Sequence, residues 1–196
     1  MSEPRGEREA VQSLDLRDPT VAAVLAWLVP GLGHLYQRRY AKAAIFFVCI
    51  VSTFVYGLAL GSVPDRGWYG RTVYFSWRQG DRRLHYLCQV GAGLIAAPAL
   101  VQAARMSSGR QVWLGGLMAP PRLGLRDLPP DAPNADQPTA HQIYRAIPRW
   151  FELGTMYTMI AGLLNILAIY DAWGGPVLAE PGQKQKSNKE DGEATG

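Results

Sequence analysis

Cysteine and histidine are scarce in this sequence of 196 residues, which contains two cysteines and three histidines. Cys49 and Cys88 both lie inside apolar runs, and two such residues do not make a disulfide framework. His85 and Cys88 are spaced so that they could share a metal ion on one helix, but no other cluster offers the further ligands that a metal site needs. We therefore predict no metal site.

Motifs for catalysis and cofactor binding are also missing. The sequence has no glycine-rich phosphate loop, no nucleophile elbow and no HExxH pattern. We therefore predict no catalytic residue, no cofactor and no enzymatic activity. The 20 lysines and arginines give a net charge of +4, but long uncharged runs separate them. Because a nucleic-acid-binding protein clusters its cations on one face, we expect no nucleic-acid partner.

Charged residues are nearly absent from four long stretches, and these decide the fold class. A bilayer core of about 30 Å requires about 20 helical residues. The second stretch, AAIFFVCIVSTFVYGLALG, is apolar on every side, and so short a chain cannot surround four such helices with protein. The sequence thus predicts an all-α integral membrane protein in contact with the lipid bilayer. We place its four membrane helices at residues 19–37, 43–62, 84–104 and 153–173.

The remaining segments are polar and are assigned by composition. Tryptophan and tyrosine favour the headgroup level, and arginine favours anionic lipid, so the aromatic and arginine-rich residues 63–83 are predicted to form an interfacial loop. The dense prolines of residues 105–152 favour an extended loop, which ends in an amphipathic segment. The other segments are a polar N-terminal segment (1–18), a basic corner (38–42) and a disordered C-terminal tail (174–196).

The first membrane helix is short and is interrupted in the stretch LAWLVPGLGHLYQRRYAK, residues 25–42. Proline and glycine end a helix and permit a tight turn, whereas the polar and basic side chains that follow favour the headgroups. The segment either spans the membrane with a kinked end or enters and returns, because irregular backbone is tolerated there only when protein or a wet cavity covers it. The candidate structural residues of this turn are Pro30, Gly31, Gly33, His34, Tyr36 and Lys42.

The last membrane helix carries a polar stripe that includes the candidate residue Asn165, and a second candidate, Asp171, lies beyond it. Thr155, Thr158 and Asn165 recur at helical spacing, and polar groups in a membrane helix usually face protein. We predict that Asn165 forms a hydrogen bond to a neighbouring helix and that Asp171 lies at the headgroups. The stripe could instead line a pathway for a small ligand, an ion or a proton.

Small residues indicate where helices approach one another. Gly57 and Gly61 form a GxxxG pair in the second apolar segment, and Gly93 and Ala97 have the same spacing in the third. Such pairs let membrane helices pack closely, so we expect the second and third segments to contact each other. Pro98 should kink the third segment.

The order of these motifs resembles the TM2-domain group of small membrane proteins. PGLGHLYQRRYAKA opens the resemblance, and GLLNILAIYDAW with its terminal Asp171 closes it, over residues 18–61 and 151–173. Arg38 and Ala43 stand where that group usually has glycine, and an insertion with a further apolar segment separates the two parts. The whole pattern is also similar to an uncharacterised bacterial membrane-protein family of planctomycete type. The resemblance implies a helical architecture and neither a reaction nor a cofactor.

Three functional hypotheses follow. The first is a non-enzymatic interaction or scaffold component of the bacterial cytoplasmic (inner) membrane that binds a membrane-protein partner or associates with itself. The second is a small transporter or channel subunit, which four spans could form only as an oligomer. The third is a membrane enzyme that would act on lipid through Glu152, His34 or Asp171.

Overall fold

The computed structural model describes residues 18–79, 81–124, 129 and 131–174. The predicted N-terminal segment, apart from Asp18, and the predicted disordered tail beyond Gly174 lie outside these residues. The described part of the chain is mainly helical, as expected. Its helices are α1 (Pro19–Leu28), α2 (Leu32–Tyr36), α3 (Tyr40–Leu60), α4 (Tyr86–Gln89), α5 (Pro98–Ser107), α6 (Ala140–Ala146) and α7 (Pro148–Gly174), and its strands are β1 (Trp77–Arg78) and β2 (Asp81–Arg82).

Two helices, α3 and α7, are long and apolar enough to cross a membrane. The 21 residues of α3 extend over about 31 Å, which matches a bilayer core. Only 22% of the most apolar window of α3 is buried within the protein, and the remainder is half-buried or exposed. An apolar surface of this extent requires an apolar surrounding, so the protein associates with a membrane.

These two helices pack against each other in opposite directions. Gly57 of α3 faces Gly154 of α7, where an added Cβ would come within 2.8 Å of the opposite carbonyl oxygen. At the other end, Lys42 contacts Asp171. We call the end with Lys42 and Asp171 the corner end and the opposite end the cap end. The expected use of Gly57 for packing on the third segment is wrong, because Gly57 contacts α7 instead.

The first apolar segment forms a hairpin that starts and finishes at the corner end. The 10 residues of α1 extend over about 15 Å, half of a bilayer core. Ala22, near its start, packs against Ala172, and α2 then turns back so that Gly33 lies directly on Ala22. We call α1 and α2 the first hairpin. By its length α1 alone does not cross a bilayer core, and the choice between a kinked span and a re-entrant element stays a prediction.

The third apolar segment is a second hairpin rather than the single, kinked helix predicted for residues 84–104. Its first limb is α4 with the 3₁₀ turns of Val90–Ala96, and its second limb is α5. The two limbs meet at an angle of 105° beside Pro98, where the kink was expected, and Gly93 breaks the first limb with a φ of 80°. Both ends of this second hairpin lie at the cap end. Arg83 donates to Thr155 near the start of α7, and Ser107 lies beside Trp77.

The two hairpins enter from opposite ends of the α3–α7 pair and meet between them. Gly93 of the second hairpin approaches the carbonyl oxygens of Trp27 and Leu28 at the end of α1 so closely that a Cβ would collide with them. Gly91 in turn packs on the backbone of Gly162 in the middle of α7. The described interior is therefore closely packed where the hairpins meet.

Residues 61–85 and 108–139 fold together into a cap, as far as these residues are described. Arg71 is fully buried and donates to Gln137 Oε1 at 2.7 Å and to the Ala119 carbonyl at 3.2 Å. Arg122 pairs with Thr139 by a β-bridge. The prediction that 63–83 is only an interfacial loop and 105–152 an extended one is thus wrong in part, because buried side chains of one segment hold the other.

Two helix boundaries differ from the predicted ones. α3 begins at Tyr40, inside the predicted corner of residues 38–42. The amphipathic segment splits into α6, which the side chains of Thr139 and Gln142 cap reciprocally, and the first turn of α7 from Pro148. Membrane helix four therefore starts five residues before its predicted residue 153.

Candidate functional site

A carboxylate at the corner end binds three basic side chains. Asp171 accepts from His34 Nε2 at 2.8 Å, and its oxygens lie 3.2 Å from Arg39 and 3.1 Å from Lys42. Gln37 adds a hydrogen bond to the Ala172 carbonyl at 2.6 Å. All ion pairs among the described residues converge on Asp171. We call His34, Gln37, Arg39, Lys42 and Asp171 the Asp171 cluster.

His34 is the most deeply placed member of this cluster. Its side chain is fully buried, and its ring lies 4.7 Å from the ring of Phe46. An ionised Asp171 can only accept, so His34 Nε2 carries the proton of this bond. His34 Nδ1 is buried and has no partner among the described residues, which fits the neutral tautomer with an unprotonated Nδ1. The ring therefore acts as an anchor that ties the first hairpin to α7.

The Pro-Gly-x-Gly turn brings these groups to Asp171. Val29 ends α1, and Pro30 cannot continue the helix with a normal hydrogen bond. Gly31 adopts a left-handed φ of 81°, which a glycine accepts without strain. Gly33 has no room for a side chain, because its α-carbon faces the Ala22 carbonyl and the Ala26 methyl group. The turn thereby reverses the chain and directs His34 toward α7.

The structure brings three of the predicted residues, His34, Lys42 and Asp171, together in the Asp171 cluster. Pro30, Gly31 and Gly33 form the adjoining turn, and Tyr36 packs against Ala22, Ala26 and Ala172. This arrangement agrees with a structural role for the corner motif.

Asn165 joins both hairpins to α7. Its Nδ2 donates to the Ala26 carbonyl at 3.1 Å and to the Gly91 carbonyl at 2.9 Å. A hydrogen bond to a neighbouring element was expected at this position. Asn165 in fact donates a hydrogen bond to each of two elements, because it lies at the depth where the two hairpins meet.

The threonines of the α7 stripe also serve packing. Thr158 donates to carbonyls of its own helix and accepts from Gln89 Nε2 at 2.8 Å. Thr155 accepts from Arg83 at 2.9 Å. Gln89 Oε1 and Asn165 Oδ1 remain buried without a hydrogen-bond partner in the described part. Nearly every other polar atom of the stripe is satisfied by protein.

Two buried arginines of the cap were not predicted from the sequence. Burial lowers the pKa of Arg71 to about 10, so that its guanidinium stays charged at neutral pH. Arg83 is 8% exposed and lies over the rings of Tyr74 and Phe151 at 4.7 and 4.8 Å. Their only signal in the sequence is the mixture of arginine and aromatic residues in 63–83, which is equally typical of a loop on the bilayer.

The residues of the enzyme hypothesis lie apart. Glu152 is exposed at the cap end, whereas His34 and Asp171 are at the corner end of the same helix pair. Among the described residues, no group of three or more histidines, cysteines and carboxylates is arranged to hold a metal ion. The expectation that the protein binds no metal or cofactor stays a prediction.

A family model described as a family of unknown function, DUF6677, matches residues 21–185. The chain belongs to the DUF6677 family. The match includes all but the first two residues of α1, together with the rest of both hairpins, the cap, the Asp171 cluster and Asn165. No curated protein and no solved structure matches this DUF6677 chain. The predicted similarity to an uncharacterised family is thus confirmed, while the TM2 resemblance and the bacterial, planctomycete-type origin remain predictions.

Proposed function

We propose that this protein is a non-enzymatic interaction or scaffold component of the bacterial cytoplasmic membrane. In this proposal α3 and α7 span the bilayer, the two hairpins enter it from opposite sides, and the cap lies on one surface. The TM2-like corner serves as the structural anchor of the first hairpin. The cap presents a binding surface to a membrane-protein partner or to a second copy of the chain.

One observation carries this proposal: buried polar side chains form hydrogen bonds that hold the cap and the two hairpins together. Arg71 and Arg83 stabilise the cap from inside, and Asn165 holds the hairpins. The outer surface of the cap meanwhile exposes large aromatic side chains, with Trp77 at 62% and Trp113 at 59% exposure. A folded cap with exposed tryptophans is suited to binding a protein or the membrane surface, because tryptophan is enriched at protein interfaces and at lipid headgroups.

In-cell photocrosslinking tests this proposal. A photoreactive amino acid at Trp77 and at Trp113 should give an adduct with the same protein, or with a second copy of this chain. The matched control is Val48, which is 61% exposed on the lipid-facing side of α3. The proposal fails if neither cap position yields a protein adduct, or if Val48 yields the same adduct as the cap.

A second candidate function is an oligomeric transporter or channel subunit, as the polar stripe suggested. The observation that favours it is the meeting of two half-membrane hairpins from opposite sides, because irregular backbone at membrane depth often lines a pathway. The unsatisfied Gln89 Oε1 and Asn165 Oδ1 lie along this seam. Solute uptake that is unchanged by Asn165→Leu, in protein that still reaches the membrane, would remove the basis of this candidate.

A further inference from the structure

An open cleft of about 450 Å³ lies where the cap meets α6, away from the Asp171 cluster. Its volume falls within the range of roughly 300–1,000 Å³ that is typical of small-molecule sites. Three arginines, Arg82, Arg83 and Arg122, line it. Tyr74 and Asp81 also line it.

Among the described lining residues of this cleft, positive charge exceeds negative charge. Three arginines line it, and Asp81 is the one carboxylate among these residues. Asp81 Oδ1 accepts a hydrogen bond from the Tyr74 hydroxyl at 3.3 Å and makes no described ion pair with an arginine. A cleft with this excess of cations attracts an anionic ligand.

Arg83 supplies a fixed charge at the inner wall of the cleft. Its guanidinium donates through Nη2 to the Thr72 carbonyl and to Thr155, but its Nε has no partner among the described residues. A buried guanidinium without a carboxylate partner is costly unless an anion or several hydrogen bonds compensate it. Arg83 is therefore held in place by two hydrogen bonds and by the rings of Tyr74 and Phe151, and no described carboxylate pairs with its charge.

Two further arginines surround the opening. Arg122 is half-buried, and its Nε donates to the Gln137 carbonyl at 2.6 Å, while no described residue forms a hydrogen bond with its terminal nitrogens. Arg82 is exposed on β2 and has no hydrogen bond with the described residues through its guanidinium. Arginine is suited to phosphate because its planar donors match two oxygens at once.

The position of the cleft relates it to the membrane surface. Thr155, which holds Arg83, is in the second turn of α7, and Trp150 near the start of the same helix is 54% exposed. Tryptophan at the end of a membrane helix marks the headgroup level. The cleft therefore lies where either a lipid headgroup or a dissolved small molecule reaches it.

We propose that this cleft is a binding site for a phosphate ester, with Arg82, Arg83 and Arg122 as the groups that bind the phosphate. This assignment goes beyond the binding of a protein partner and does not depend on it. The same phosphate chemistry is found in an anionic phospholipid headgroup and in a soluble phosphate ester. The experiment must therefore separate these two sources.

The test uses the full chain purified in a neutral detergent and in phosphatidylcholine nanodiscs. Calorimetry with glycerol 1-phosphate measures binding of a soluble ester, and native mass spectrometry of nanodiscs with added phosphatidic acid measures selective lipid retention. We expect one of these ligands to bind, and the ligand that binds identifies the source. Arg82→Gln and Arg122→Gln should each weaken that binding about ten-fold, the effect of one lost charge-assisted hydrogen bond.

Arg145→Gln is the matched control, because Arg145 is exposed on α6 and does not line the cleft. It removes the same charge and should leave binding within about two-fold of the wild type. The proposal is overturned if neither ligand binds, or if Arg145→Gln weakens binding as much as Arg82→Gln does. Photocrosslinking from Trp77 and Trp113 remains a separate measurement, so the failure of one proposal does not imply the failure of the other.

Discussion

Replacement of Asp171 by alanine should detach the first hairpin from α7. His34 would lose the acceptor of a buried charge-assisted hydrogen bond, which contributes about 1.5–3 kcal/mol. The pairs with Arg39 and Lys42 are more exposed and contribute about 0–1 kcal/mol each. We therefore expect Asp171→Ala to lower the free energy of unfolding by about 3 kcal/mol.

Equilibrium unfolding by SDS in mixed micelles, followed by tryptophan fluorescence, measures this loss. Asp171→Asn retains an acceptor for His34 without the charge, so its effect should be about half as large. Lys42→Met removes only an exposed partner and should cost less than about 1 kcal/mol.

A double-mutant cycle isolates the central contact of the cluster. His34→Leu combined with Asp171→Ala should give a coupling energy of about 1.5–3 kcal/mol. The reasoning is refuted if Asp171→Ala stays within about 0.5 kcal/mol of the wild type, or if the two substitutions are additive.

Three other predictions concern packing and topology. Gly162→Ala should lower the free energy of unfolding by about 1–3 kcal/mol, because the added methyl group would collide with the Cys88 carbonyl. Gly174→Ala in the same helix is the control and should have little effect, since nothing lies near that position. Equal effects of the two substitutions would contradict the close contact at Gly162. Asn165→Leu should cost about 1–2 kcal/mol, since the Ala26 and Gly91 carbonyls lose their donor, and a gain in stability would show that these bonds contribute nothing. In a Cys49→Ser/Cys88→Ser background, a membrane-impermeant maleimide should label Asp65→Cys and Ser108→Cys from one side and Arg38→Cys from the other. Four continuous spans would place Ser108 with Arg38 instead.

The long helices could be predicted from sequence because their signal is local. α3 has no charged residue between Lys42 and its end, and an all-round apolar helix of this length suits lipid whatever its neighbours are. The turn at Pro30 and Gly31 was likewise visible, since the chemistry of those residues alone interrupts a helix.

Partners distant in the chain could not be predicted in this way. His34 and Asp171 are 137 positions apart and meet only because α3 and α7 are antiparallel and the first hairpin turns back. Gly57 and Gly61 have the spacing of a packing motif, but this spacing does not indicate which helix packs against them. The depth at which a short apolar segment turns also depends on the neighbouring elements that cover its exposed backbone.

Arg71 is the clearest example of a signal that favoured the wrong environment. Arginines among aromatic residues are usual at a bilayer surface, and full burial of one requires hydrogen-bond acceptors from elsewhere in the chain. These acceptors are Gln137 and Ala119, which lie in the proline-rich segment that composition assigned to an extended loop.

The position of α7 in the chain has a consequence for biosynthesis. Asn165 holds both hairpins and Asp171 anchors the first, yet the ribosome produces α7 after every other described element. Until then, the carbonyls of Ala26 and Gly91 lack their donor, and the corner cations lack their carboxylate. The contacts that fix both hairpins can therefore form only after α7 has been translated.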